Sequence, residues 1–71
     1  MLVFFIRSTQ VEDDRVVIGD PLFTHLSKSL RMRPGDPLIL NDEQGRRYQT
    51  TISQVTKHGI HSNIFSIQDP S

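Results

Sequence analysis

Cysteine, tryptophan and alanine are missing from this chain altogether. Without cysteine there is no disulfide framework, no thiolate nucleophile and no zinc site of the cysteine type, and a reducing compartment, the cytoplasm, is the expected location. Without alanine, the strongest helix former, and with seven Ile, five Val and five Thr, the propensities point to a mainly β domain. The four glycines, Gly19, Gly35, Gly45 and Gly59, stand far apart, so no glycine-rich loop is available to cradle a phosphate. Net charge is absent as well. Eight basic and eight acidic side chains cancel, and binding to nucleic acid would have to rest on a local patch. The apolar run from Met1 to Ile6 stops at Arg7, far short of the roughly 20 residues that span a bilayer, so no membrane partner is expected. A length of 71 residues also excludes architectures such as the eight-unit barrel, which takes about 250 residues.

What is present reads as five to six strands around one helix, a small and partly closed β-barrel. Val3 to Ile6 reads as a short buried strand and Arg15 to Ile18 as a second, with the polar stretch at Glu12-Asp13-Asp14 turning the chain between them. Asp20 can cap a helix and Pro21 suits its first turn, which predicts a helix over about 21–32. Leu22, Phe23, Leu26 and Leu30 then form its apolar stripe, with Thr24, Lys28 and Arg31 opposite and His25 at the boundary. Pro34-Gly35 is the central pair of a type II turn. Leu38-Ile39-Leu40 reads as a strand buried on both sides. A hairpin turn at 42–45 leads to a long strand, Arg46 to Val55, in which Tyr48, Thr50 and Ile52 alternate with polar residues. The last strand reaches Ile67 and changes phase, with Ile60 and Ile64 on one face and Phe65 and Ile67 on the other, which predicts a β-bulge near Asn63. Residues 1–68 are the expected domain, and 69–71 the start of a linker.

Most chemistry-bearing residues have ordinary readings. His58 and His61 lie three apart across a turn and a strand, where side chains diverge, so with His25 they make a poor metal set and no metal is expected. The acid pairs Asp13-Asp14 and Asp42-Glu43 read as solvated turn residues. No nucleophile elbow is present, and no catalytic residue is expected. One cluster has a coherent purpose: Lys28, Arg31 and Arg33, bounded by His25. Guanidinium forks suit phosphate oxygens, and cations at a helix C-terminus also complement its dipole, so two readings explain the same residues. Arg46 and Arg47 add a second basic spot, with the ring of Tyr48 beside it as a surface for a base.

The segment His25-Leu26-Ser27-Lys28-Ser29-Leu30-Arg31-Met32-Arg33-Pro34-Gly35-Asp36 resembles the signature of the RsmE family, bacterial methyltransferases that modify N3 of a uridine in 16S ribosomal RNA. Phe4-Phe5 resembles that family's opening strand, and Leu38-Ile39-Leu40-Asn41-Asp42 through Gly45 to Tyr48 and Ile52 resembles its hairpin. The resemblance implies a PUA-like RNA-binding barrel. In the family that barrel precedes a larger knotted SPOUT domain, which binds S-adenosylmethionine, carries catalysis and dimerises. By the same resemblance this chain is the accessory domain alone: it holds no cofactor, and its partners are 16S ribosomal RNA or the small ribosomal subunit and a SPOUT domain outside this sequence. His25, Lys28, Arg31, Arg33, Arg46 and Arg47 are the RNA-contact candidates. Val3 stands where the family often has Arg, and Ser29 where an aliphatic residue is usual. The competing expectation is a small barrel that docks another protein without touching RNA.

Overall fold

The computed structural model describes residues 3–70. Six strands, β1 (Val3–Phe5), β2 (Val11–Glu12), β3 (Arg15–Ile18), β4 (Pro37–Asn41), β5 (Arg47–Val55) and β6 (Ile60–Gln68), form one sheet in the order β1-β4-β5-β6-β3-β2. It curls into a half-barrel. All neighbours are antiparallel except β1 and β4, which run parallel with Phe4 opposite Leu40. The alternation in β5 sets the inner face: Tyr48, Thr50 and Ile52 are buried, as are Leu38 and Leu40 of β4 and Val16 and Ile18 of β3. Two register shifts between β5 and β6 help bend the sheet, since an extra residue on one strand increases local twist. One falls at Ser53. The other falls at Phe65, two residues beyond the expected position, because Ile64 still pairs with Thr50 and Ser66 is the next to pair, with Gln49.

Three local expectations change. β1 is a half-buried strand at one edge of the sheet rather than a buried one, with Phe5 76% exposed. The polar turn at 12–14 belongs to a tight hairpin with a strand not read from the sequence, β2, and Asp13 sits at φ 54° in that turn. A strand of two residues, Val11–Glu12, is too short to show an alternation. The helical segment is shorter than 21–32: an α-helical turn, α1 (Leu22–Thr24), runs directly into a π-helical turn at His25–Ser29. Pro21 takes the N-cap position expected of Asp20, and Asp20, one residue earlier, accepts hydrogen bonds from the backbone N–H of Thr24 at 3.1 Å and from the Thr24 hydroxyl. Leu26 is fully buried, with Leu22 and Phe23 packed against the same core. The wider π turn carries Leu30 off the stripe, 37% exposed, and Met32 packs on the core in its place.

Candidate nucleic-acid interface

The end of the helical segment is built by backbone geometry. The N–H of Leu30 donates to the carbonyl of His25 at 3.2 Å, and that of Met32 to the carbonyl of Leu26 at 2.9 Å. Between them Arg31 adopts φ 52°, the left-handed conformation that commonly ends a helix and is usually given to glycine. This reversal points the chain back to the sheet. Asp36 N–H then donates to the Arg33 carbonyl at 3.0 Å, and the Asp36 carboxylate accepts from Arg33 N–H at 2.8 Å. Gly35 at φ 95° fits the third position of a type II turn. The turn is tied to β5 by two bonds, Gly35 N–H to the Ile52 carbonyl at 2.7 Å and Ile52 N–H to the Asp36 carbonyl at 2.9 Å.

His25, Lys28, Arg31 and Arg33 are therefore all exposed on one pinned corner. The His25 ring stands edge-on to Phe4, with centroids 6.0 Å apart, which links the corner to β1. Among the described residues the one ion pair joins Arg46 to Asp69 at 3.5 Å. The side chains of Lys28, Arg31 and Arg33 therefore make no ion pair among the described residues, although the Asp36 carboxylate sits on the backbone N–H of Arg33.

The second basic spot lies elsewhere. Arg46 and Arg47 flank the other end of the β4–β5 hairpin, and five residues of β5 at about 3.4 Å each put roughly 17 Å between Arg47 and Ile52, where the first corner is tied. The structure therefore does not join the six candidates into one patch. Arg46 is engaged with Asp69, while Arg47 Nε donates to Asn41 Oδ1 at 3.4 Å. Tyr48 is only 2% exposed and offers no surface to a base, because its place in the alternation of β5 turns the ring into the core.

The hairpin turn also corrects the reading of its acids. Asp42 is buried rather than solvated: its carboxylate accepts hydrogen bonds from the Tyr48 hydroxyl at 2.7 Å, from Gln44 N–H at 2.9 Å and from Arg46 N–H at 3.0 Å. Burial would raise its pKa, but these donors and the Arg46 charge outweigh it and hold the carboxyl below its ordinary value. Glu43 accepts from the Ser8 hydroxyl at 2.6 Å and Ser8 N–H at 2.7 Å, which tethers the 3-10 turn Ser8–Gln10 to the hairpin and lowers the Glu43 pKa. Both acids serve the fold. The exposed rings that sequence reasoning passed over are Phe5 and Phe65, the latter 66% exposed. The phase change in β6 was the available signal for Phe65.

No curated protein matches the sequence closely enough to count as a relative. Solved structures match the fold. A probable rRNA-methyltransferase from Porphyromonas gingivalis superposes with a TM-score of 0.82 at 21% identity, over 100% of this chain and 29% of that one. A predicted RNA methyltransferase from Thermotoga maritima gives 0.78 at 16% identity, over 97% and 30%. The ribosomal RNA small subunit methyltransferase E of Neisseria gonorrhoeae, bound to S-adenosyl methionine, gives 0.78 at 24% identity, over 96% and 28%. The chain thus spans less than a third of the length of these proteins. The family described as the RNA methyltransferase PUA domain matches residues 18–65, from the end of β3 through the helical segment, the pinned corner and most of β6, and this chain belongs to that family.

Proposed function

We propose that this domain holds ribosomal RNA for a 16S rRNA uridine-N3 methyltransferase, with the pinned corner of His25, Lys28, Arg31 and Arg33 as its phosphate contact. The observation that carries the reading is the set of three exposed cations whose side chains make no ion pair among the described residues, fixed to β5 by the Gly35 and Asp36 backbone bonds. A preorganised corner loses little conformational entropy on meeting phosphate, and guanidinium groups bind its oxygens in paired geometry. Arg47 lies on the far side of the hairpin and would meet a more distant part of the same RNA. In the full-length parent, S-adenosylmethionine is the methyl donor, held by a SPOUT domain that follows a linker starting at 69–71, and the parent works as a cytoplasmic homodimer. The S-adenosyl methionine bound to the Neisseria structure supports the first of these. This domain supplies none of that chemistry.

The test is the salt dependence of binding to a short ribosomal RNA hairpin and to its single-stranded form. Each phosphate neutralised contributes a slope of about −0.7 on single strands. Arg31→Gln with Arg33→Gln flattens the slope by about 1.4 and weakens binding to every sequence alike. An unchanged slope in that variant removes RNA from this corner.

A further inference from the structure

The sheet presents a second surface that the pinned corner does not include. Pairing puts Phe5, Asn41, Arg47 and Gln68 in one row across β1, β4, β5 and β6. The neighbouring row holds Phe4, Leu40 and Tyr48, which face the core, so the Phe5 row faces outward. The bulge adds a second ring to this side. Phe65 and Ser66 together oppose Gln49, whose own neighbours Tyr48 and Thr50 point inward, and Phe65 is 66% exposed.

The charge on these strands is one-sided. β1, β4, β5 and β6 contain no Asp or Glu, and Arg47 is their one Lys or Arg. The acids that border the face at the hairpin end are occupied: Asp42 is buried on three donors, Glu43 holds Ser8, and Asp69 is paired with Arg46. Two exposed rings, a cation and the side-chain amides of Asn41, Gln49 and Gln68 together match the chemistry of unpaired nucleotides. Bases stack on aromatic faces, amides meet base edges, and a guanidinium meets phosphate. A duplex, whose bases are stacked internally, has no use for exposed phenylalanine rings.

We propose that this outer face is a stacking platform for single-stranded RNA, with Phe5 and Phe65 as the stacking rings and Arg47 as the cation between them. The inference rests on the RNA-binding reading above and adds to it the strandedness of the ligand and a second contact surface. About three strand spacings, or roughly 14 Å across the sheet, separate the two rings, so they take different nucleotides of one strand.

The experiment uses a mixed-sequence single-stranded RNA of about ten nucleotides, enough to cross the sheet. Replacing both rings by leucine keeps apolar area but removes the stacking surface, and Phe5→Leu with Phe65→Leu is expected to weaken binding about tenfold or more with the salt slope unchanged. The chain has no tryptophan, so Phe65→Trp gives a unique indole whose emission is expected to be quenched when RNA is added. Wild-type affinity in the leucine pair together with an unquenched indole overturns the platform, while the flattened slope of the Arg31 and Arg33 variant leaves the corner standing. Failure of the wild-type chain to bind either single-stranded or hairpin RNA overturns both. If the wild-type chain sediments as a dimer that Phe5→Ser with Phe65→Ser dissociates, and the leucine pair binds RNA normally, the face is a protein-docking surface and the proposal is wrong.

Discussion

Ser62 on β6 donates its hydroxyl proton to Thr50 Oγ1 on β5 at 2.6 Å, and Thr50 passes its own to the Leu38 carbonyl on β4 at 2.7 Å. Both side chains are buried, so this relay ties three central strands together inside the core. Thr50→Val keeps the shape but strands the Ser62 hydroxyl, and should cost about 1–3 kcal/mol by urea unfolding. Adding Ser62→Ala removes the orphaned group, so the double variant should be destabilised by less than the sum of the two single changes. Strict additivity would show that the two hydroxyls do not act together.

The Tyr48 and Asp42 pair predicts the pH profile of the fold. Asp42 is held below its ordinary 3.8 because the hydrogen-bond donors outweigh burial, and Tyr48 is raised above 10.0 by burial and by Asp42. A depressed carboxyl stabilises the fold above its unfolded pKa, and that contribution is lost as pH falls through the folded value. A raised phenol does the reverse, with stability present below pH 10.0 and lost as pH rises. Stability should therefore be flat between about pH 5 and pH 9 and fall on both sides. Tyr48→Phe should abolish the alkaline fall and make the acid fall shallower, because Asp42 loses one of its donors. Equal acid slopes in the two proteins would separate Asp42 from the acid limb.

These two networks also mark what could be read from the sequence. The inward set Tyr48, Thr50 and Ile52 follows from period-two alternation, and Pro34-Gly35 announces its turn because proline presets its own φ and glycine freely adopts the positive φ that the next position needs. The fate of Asp42 was hidden: a turn aspartate is ordinarily solvated, and only the fold brings the Tyr48 hydroxyl beneath it. The helical stripe was half legible. Leu22, Phe23 and Leu26 lie where a 3.6-residue period puts them, but that period cannot anticipate a π turn, so Leu30 and Met32 exchange roles. The six contact candidates were legible as residues but not as a surface. Linear proximity kept Lys28, Arg31 and Arg33 together, while the length of β5 separates them from Arg47.

Two glycines give a matched test of the packing between β3 and the turn before β6. A Cβ on Gly59 would lie 2.5 Å from the Ile18 carbonyl oxygen, which is backbone and cannot swing aside, whereas one on Gly19 meets nothing within 4 Å. Gly59→Ala should destabilise by about 1–3 kcal/mol through forced backbone movement. Gly19→Ala should change stability little, or raise it by about 0.4–1 kcal/mol through the unfolded chain. Thermal unfolding of the two variants side by side checks this, and equal midpoints would contradict the close approach.

Arg31 allows fold and function to be set against each other at a single position. At φ 52° a side chain is disfavoured and glycine is not, so if Arg31 serves the fold alone there is little reason for it to occupy this place. Arg31→Gly should raise stability by about 0.5–1 kcal/mol, the left-handed strain relieved less the extra entropy glycine loses on folding. The same change should weaken RNA binding and flatten the salt slope by about 0.7 on a single strand, one phosphate contact being lost. If Arg31 instead complements the carbonyl end of the helical segment, its removal forfeits about 0.3–1 kcal/mol of charge-dipole attraction, which offsets the relief of strain and leaves RNA affinity untouched. Opposite changes in stability and affinity from one substitution therefore mean that the cation is held in a strained conformation for its ligand.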